Sequence, residues 1–225
     1  GVAQSRRAGG SAAGARAVTD VKVCGLTREG DVESACALGA AYVGFNFSAG
    51  SPRRVPLDVA RRLAAVVPEG VPRVGVFVDE SYAEIAEAID AASLDLVQLH
   101  RTLSAEDLKR IPRRVLAVAH AGRHEEIPPG ALLERCAGIL FDTARSGRAG
   151  GTGIPFDWFL IEGKSWPVPL FVAGGLTAEN VGESIRMTKP GAVDVASGVE
   201  TSPGVKDLEL MRRFFSAVRE ADSKP

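Results

Sequence analysis

The sequence has few cysteines and no long apolar run. The three cysteines, Cys24, Cys36 and Cys136, are an odd number in 225 residues and form no Cys-x-x-Cys motif. This usage excludes a disulfide scaffold and predicts a reducing compartment, which we take to be the cytoplasm. No segment approaches the ~20 apolar residues of a transmembrane helix, so we expect no membrane-spanning helix.

A basic surface is also missing. The formal net charge is -1, and lysine or arginine never occurs more than twice in succession. Binding to nucleic acid or to an anionic membrane requires a basic patch or stripe, so we expect neither partner. The composition therefore favours a small-molecule ligand.

Residues 1–17 differ in composition from the remainder of the chain. They are rich in small residues and arginine, but they lack the apolar core of a signal peptide. We predict a disordered tail over residues 1–17, followed by a single catalytic domain over residues 18–225. A chain of this length with 45% hydrophobic residues can bury one large core.

Short Val/Leu-rich runs alternate with segments of helical period throughout the domain. Ser81 and Ser104 each stand three residues before an acid, which predicts capped helix starts. Pro128 and Pro129 predict a short fifth helix, and the last helix is expected over residues 207–220. Eight strand and helix units predict a closed (β/α)8 TIM barrel, whose active site lies at the carboxyl ends of the strands. The predicted strands are 21–23, 42–45, 73–78, 94–99, 115–119, 138–141, 170–173 and 193–196.

Cys24 and Asp142 directly follow the first and the sixth predicted strand. These strands lie on different sides of a barrel, so a thiol and a carboxyl at their ends can face each other across a substrate. That arrangement suits a general base opposite a general acid. A free thiol titrates near ~8.5, so the base requires help from nearby cations or helix dipoles. The alternatives are a buried cysteine that acts as a small hydrophobe and an aspartate that caps a loop.

Two glycine-containing pairs follow strands seven and eight, Gly174-Gly175 and Ser197-Gly198. Barrels often bind phosphate there through backbone N–H groups. Either pair alone is equally well explained as a tight turn. Together they predict a phosphate site and a phosphorylated substrate.

Four further side chains are candidates near the strand ends. Arg53 can bind a substrate carboxylate through its planar guanidinium, with Arg54 as a competing candidate. Lys22 shares strand parity with Cys24, and Asp194 on strand eight is its natural ion-pair partner. His100 can hydrogen-bond substrate or serve in packing. We place Lys22, Asp194 and His100 behind the reacting groups rather than among them.

The pattern resembles the phosphoribosylanthranilate isomerase family of tryptophan biosynthesis, from about residue 21 to the end. The stretches that carry the resemblance occur in family order and are VKVCGLT, GFNFSAGSPRRV, VGVFVD, LDLVQLH, LFDT, GGTGIPFDW, VAGGLTAENV and VDVASGVETSPGVKD. The pairing of Lys-x-Cys-Gly-Leu-Thr with the later Gly-Gly-Thr-Gly motif is specific, whereas Ala-Gly-Gly-Leu occurs in many phosphate-binding barrels.

The resemblance implies an Amadori rearrangement of N-(5-phosphoribosyl)anthranilate by a monomer or homodimer, without metal or cofactor. Asp142 would protonate the furanose oxygen, and Cys24 would remove the C2 proton of the Schiff base. Arg53 would bind the anthranilate carboxylate, and the acid of strand eight falls on Asp194. The phosphate contacts would be backbone groups around Gly174, Gly175, Ser197 and Gly198.

Two positions depart from the family pattern. Arg101 stands where the family usually has glycine, and strand five lacks an expected lysine. They leave open a substituted anthranilate as substrate. The histidine-pathway aminoaldose isomerase, which would require paired aspartates on strands one and five, is an alternative, although Cys24 and His120 stand near those places. The second alternative is a catalytically retired barrel that only binds a phosphorylated ligand.

Overall fold

The structure, a computed structural model, describes residues 18–120, 127–142 and 158–223. The predicted tail over residues 1–17 lies outside the described residues. Residues 150–153, which form the Gly-Gly-Thr-Gly motif, also lie outside them.

Eight parallel strands form a closed barrel in which the spatial order follows the chain order. The predicted TIM barrel is therefore confirmed. The barrel closes between the first and the last strand, where Lys22 is in register with Asp194. The strands are β1 (Asp20–Cys24), β2 (Tyr42–Asn46), β3 (Arg73–Phe77), β4 (Leu96–Leu99), β5 (Arg114–His120), β6 (Gly138–Asp142), β7 (Leu170–Ala173) and β8 (Ala192–Val195).

Helices connect most of the strands on the outside of the barrel. They are α1 (Glu29–Leu38), α2 (Leu57–Ala65), α3 (Tyr82–Ala92), α4 (Ala105–Arg110), α5 (Gly130–Leu133), α6 (Val181–Thr188) and α7 (Leu208–Ser223). The predicted capping boxes begin α3 and α4, where Ser81 pairs with Glu84 and Ser104 with Asp107. As expected from the proline pair, α5 is a single turn. The described part of the connection from β6 to β7 contributes only the 3-10 turn Trp158–Leu160.

The sequence did not indicate a small antiparallel hairpin that follows β8. It consists of β9 (Glu200–Ser202) and β10 (Val205–Lys206), and a 3-10 turn, Ser197–Val199, precedes it. The start of β4 also differs from the prediction. The backbone N–H of Leu94 donates to the carbonyl of Ile89 at the end of α3, so residue 94 completes the helix cap instead of starting the strand.

The strands are buried on both faces, as in other parallel barrels. One face packs against the helices and belongs to the main hydrophobic cluster. The other face fills the barrel with a smaller cluster, so that along β5 the side chains of Leu116 and Val118 point inward while Val115 and Ala117 point outward. Within the described residues, no helix is long and apolar enough to cross a membrane.

Candidate active site

A single cavity at the carboxyl ends of the strands collects most of the predicted site residues. Asn46 and Gln98, to which the sequence assigned no role, also line it. Because these residues come from β1, β2, β4, β6, β7 and β8, only the closed barrel brings them together. The predicted residues that line it are Cys24, Arg53, His100, Asp142, Gly174, Gly175, Asp194 and Ser197.

Cys24 is the last residue of β1, and its thiol is free and partly buried. Burial raises the pKa of the Cys24 thiol above its usual value, and the neighbouring Lys22 ammonium offsets only part of this rise. The expectation that nearby cations would favour a thiolate is therefore met only in part. The cations are present, but the effect of burial on the thiol pKa outweighs theirs.

Lys22 and Asp194 form the predicted ion pair beneath the thiol. The Lys22 Nζ lies 2.9 Å from the Asp194 Oδ2, and the lysine side chain is 0% exposed. The pair joins β1 to β8 because the two residues are register partners across the closing seam. The other carboxylate oxygen of Asp194, Oδ1, is buried and has no hydrogen-bond partner in the described part of the chain.

Asp142 is the last residue of β6 and lines the same cavity as Cys24. In the sheet it is in register with His120 of β5 and Ala173 of β7. Its carboxylate is close enough to Asp194 that their repulsion adds to the effect of burial, the larger cause, in raising the pKa of Asp194. The site therefore holds two carboxyl groups that interact with each other.

Arg53 follows β2 and is paired with a residue that the sequence analysis did not single out. Its Nε and Nη2 donate to the carboxylate of Glu200, with the shortest contact 2.6 Å, from Nη2 to Oε2. Gly25 makes room for this arginine, because a Cβ at residue 25 would overlap the Cδ of Arg53. A carboxylate of this chain thus occupies one edge of the guanidinium.

Lys206 in β10 holds Glu200 from the other side. Its Nζ donates to the Glu200 Oε1 at 2.7 Å and to the carbonyls of Cys24 at 2.6 Å and Ala196 at 3.1 Å. Burial opposes the charge on Glu200, but the hydrogen bonds from Arg53 and Lys206 outweigh it and hold the pKa of Glu200 below its usual value. Arg53, Glu200 and Lys206 form a chain of ion pairs, which we call the Glu200 network.

The loops after β7 and β8, where barrels of this class often bind phosphate, lie against each other. Gly174 and Gly175 have φ values of 87° and 64°, and the side chain of Asn180 holds the loop by donating to the Gly175 carbonyl at 2.9 Å. Gly198 does not line the cavity. A Cβ at this residue would overlap the carbonyl of Leu176, so the glycine allows the two loops to approach.

A family model described as N-(5'phosphoribosyl)anthranilate (PRA) isomerase matches residues 21–217 of the chain. The chain belongs to this isomerase family. A PRA isomerase from Rhodopseudomonas palustris is 42% identical over 213 residues, which cover 90% of this chain and 96% of the relative. The Streptococcus gordonii enzyme is 44% identical, with 90% and 99% covered. The crystal structure of the Thermotoga maritima enzyme has a TM-score of 0.81, with 34% identity, and covers 90% of this chain and 99% of that one.

The resemblance read from the motifs is thus confirmed, and the chain is a PRA isomerase family enzyme. Its departure from the family pattern at Arg101 has a local structural explanation. The Arg101 Nη2 lies 2.7 Å from the Asp107 Oδ1, and Nη1 donates to the Glu80 carbonyl at 3.0 Å. Arg101 thus joins the loop after β3 to the start of α4, and it does not line the cavity.

Two further polar residues are in contact at the carboxyl end of β4, Gln98 within the strand and His100 directly after it. The Nε2 atoms of Gln98 and His100 are 2.7 Å apart, so the amide donates to the ring. Only His100 was predicted. Asn46 is the last residue of β2, and Gln98 is the second-to-last residue of β4. A polar residue near the carboxyl end of a strand was the sequence feature that could have indicated their place in the site.

Proposed function

We propose that this chain catalyses the Amadori rearrangement of N-(5'-phosphoribosyl)anthranilate to 1-(2-carboxyphenylamino)-1-deoxyribulose 5-phosphate, with Cys24 as general base and Asp142 as general acid. Membership of the family supports the reaction. The observation that carries the residue assignment is that Cys24 and Asp142, from β1 and β6, line one cavity. A solved structure that is 31% identical, with a TM-score of 0.76, is a complex of a PRA isomerase with the reduced product.

The first step opens the furanose ring. Asp142 transfers its proton to the ring oxygen while the lone pair of the anthranilate nitrogen forms the C1–N double bond, and the C1–O bond breaks. The product of this step is a protonated Schiff base with a free C4 hydroxyl. A carboxyl is suited to this work because it can donate the proton in one step and accept one later.

The second step moves the C2 proton. The Cys24 thiolate removes this proton, and the electron pair of the C–H bond forms the C1–C2 double bond as the Schiff base becomes an enolamine. Transfer of the C2 hydroxyl proton to C1 then gives the ketone. No external oxidant or reductant is required, since substrate and product are isomers.

The remaining groups orient the substrate. We propose that Arg53 binds the anthranilate carboxylate and that the loops around Gly174, Gly175, Ser197 and Gly198 bind the phosphate. Lys22, Asp194 and His100 support the reacting groups. We further propose a cytoplasmic enzyme that acts as a monomer or homodimer without metal or cofactor, and one Thermotoga maritima neighbour is described as monomers generated from a dimeric enzyme.

The test compares purified parent, Cys24→Ser and Asp142→Asn with freshly prepared substrate, whose fluorescence disappears as it is consumed. We expect each variant to lose at least about a hundredfold in kcat, the scale of general acid or base catalysis. Affinity for the reduced product analogue should stay within about threefold, since neither group is assigned a binding role.

Matched controls are Cys36→Ser on α1 and Asp58→Asn on α2, since both residues lie outside the cavity. If Cys24→Ser and Asp142→Asn turn over as fast as the controls, the acid and base assignments are wrong. If the parent binds the analogue but does not turn over the substrate, the result would favour a catalytically retired phosphate-binding barrel or an enzyme with an altered substrate. Turnover of the histidine-pathway aminoaldose instead would favour that isomerase.

A further inference from the structure

The guanidinium of Arg53 uses only one of its two hydrogen-bonding edges for Glu200. The contacts involve Nε and Nη2, at 2.9 Å and 2.6 Å, which is the side-on edge of the group. A planar guanidinium has a second edge formed by Nη1 and Nη2, and this edge can bind another carboxylate with two parallel hydrogen bonds. Since Arg53 lines the cavity, its pairing with Glu200 fixes the plane in which a ligand would meet that second edge.

An arginine paired with a single carboxylate has little net charge with which to attract an anion. The Glu200 network solves this problem, because Lys206 adds a second cation to the same carboxylate at 2.7 Å. Two cations and one anion leave one positive charge. The side chains of Lys206 and Glu200 are 0% and 4% exposed, so solvent screens this charge weakly.

Lys206 is itself held rigidly. Its ammonium group has three protons and three acceptors, namely the carbonyls of Cys24 and Ala196 and the carboxylate of Glu200. Since all three N–H donors of the ammonium have acceptors, any other orientation of the Lys206 side chain would lose hydrogen bonds. The network therefore connects the end of β1, the end of β8 and the loop after β2.

We propose that Glu200 is a specificity-determining residue, which orients Arg53 for the aromatic carboxylate of the substrate, and that Lys206 preserves the positive charge of the site. This inference rests on the proposed function, since it takes Arg53 as the carboxylate-binding group. It assigns to the hairpin of β9 and β10 a role in selecting substrates that carry a carboxylate on the amine substituent. Fixed orientation contributes to affinity because the ligand does not have to immobilise the arginine on binding.

The experiment measures the dissociation constants of two ligands by calorimetry. One is reduced 1-(o-carboxyphenylamino)-1-deoxyribulose 5-phosphate, and the other is the same molecule without the carboxyl group. Their quotient, the carboxylate ratio, is expected to be about tenfold to a hundredfold in the parent, as for a charged hydrogen-bonded pair. In Glu200→Gln, which keeps shape but offers one acceptor oxygen, it should fall below about threefold.

Kinetics provide a readout that a purely structural role would not produce. We expect Glu200→Gln to raise KM about tenfold and to leave kcat within about twofold, since the lost interaction is present in ground state and transition state alike. Lys206→Met should also lower the carboxylate ratio, because Glu200 would then cancel the charge of Arg53. The control is Glu209→Gln on α7, a carboxylate that is 71% exposed and pairs with Arg212.

The possible outcomes separate the inference from the function on which it rests. Arg53→Ala should give a carboxylate ratio near one while leaving the affinity for ribose 5-phosphate almost unchanged. A parent that already shows a ratio near one would contradict the binding role of Arg53. A large ratio that stays the same or increases in Glu200→Gln would overturn the inference alone, since it would mean that Glu200 merely neutralises the arginine.

Discussion

At the scale of single residues, the proposed chemistry depends on a thiol whose pKa is raised. Burial raises the pKa of Cys24, while Lys22 opposes this effect through its charge and a hydrogen bond. Since the proposed base is the thiolate, kcat/KM should increase as the pH rises toward the pKa of the thiol. Lys22 makes the active form more available than the buried position alone would allow.

Removing the Lys22 ammonium should therefore shift the pH dependence of kcat/KM to higher pH. The double variant Lys22→Met/Asp194→Asn deletes the ammonium without leaving its carboxylate partner unpaired and buried. We expect the midpoint for alkylation of Cys24 to rise by up to about one pH unit, because Lys22 lowers the pKa of the thiol more than Asp194 raises it, and kcat/KM at pH 7 to fall by up to about tenfold. Both are measured in a Cys36→Ser background, in which the remaining cysteine, Cys136, is 0% exposed.

Asp194→Asn alone is the matched control for this measurement. It removes a negative charge that raises the pKa of Cys24 and keeps the lysine, so its alkylation midpoint should move downward. Equal midpoints in the parent, the single variant and the double variant would contradict an electrostatic role for Lys22.

Sequence reasoning succeeded for some residues of the site and failed for others, for a physical reason. Lys22 and Asp194 could be paired because strand parity and barrel closure together determine their distance. Glu200 and Lys206 could not, because their partners depend on how a short hairpin folds over the barrel. The sequence makes Arg53 a candidate for binding a substrate carboxylate, but it contains no indication that Glu200 of the same chain pairs with it.

At the scale of elements, the strands were predictable because each is a short apolar run buried on both faces. The starts of α3 and α4 were predictable because capping boxes are local. The hairpin of β9 and β10 was not, since each of its strands is no longer than three residues and lacks an apolar pattern. Local sequence features thus determine the strands and the helix starts, whereas the loops that complete the site depend on long-range contacts.

The contact between the loops after β7 and β8 is testable at this scale. In Gly198→Ala, the new methyl group would overlap the Leu176 carbonyl, so the loops must separate. We expect the affinity for ribose 5-phosphate to fall at least about tenfold and the free energy of unfolding to fall by about 1–3 kcal/mol. Calorimetry and urea denaturation measure the two effects.

Gly182→Ala in α6 is the appropriate control, because a Cβ there meets nothing closer than 3.4 Å. It should retain ligand affinity and increase stability slightly, since alanine favours helix more than glycine does. Unchanged phosphate affinity in Gly198→Ala, despite a measurable loss of stability, would show that the loop contact serves packing alone.

At the scale of the whole molecule, we propose that the catalytic domain spans residues 18–225. A chain that begins at residue 18 should unfold at the same temperature as the full chain and turn over substrate at the same rate. Thr19 supports this boundary, since its backbone N–H and hydroxyl both donate to Asp222 of α7 at 2.8 Å. Thermal unfolding and the fluorescence assay test the prediction.

A chain that begins at residue 23 provides the contrast. It lacks Thr19, most of β1 and the Lys22–Asp194 pair, so we expect it not to fold cooperatively. Loss of turnover on removal of residues 1–17 alone would contradict the proposed boundary.

The seam between β1 and β8 has a consequence for the order in which a chain becomes active during synthesis. Cys24 is among the first residues of the domain to leave the ribosome, whereas Asp194, Glu200 and Lys206 are among the last. The carboxylate that pairs with Lys22 and the ammonium that donates to the Cys24 carbonyl reach β1 only when the barrel closes. A nascent or truncated chain therefore carries Cys24 without the residues that surround it in the closed barrel, so we expect activity to appear only after the C-terminal segment is free to fold.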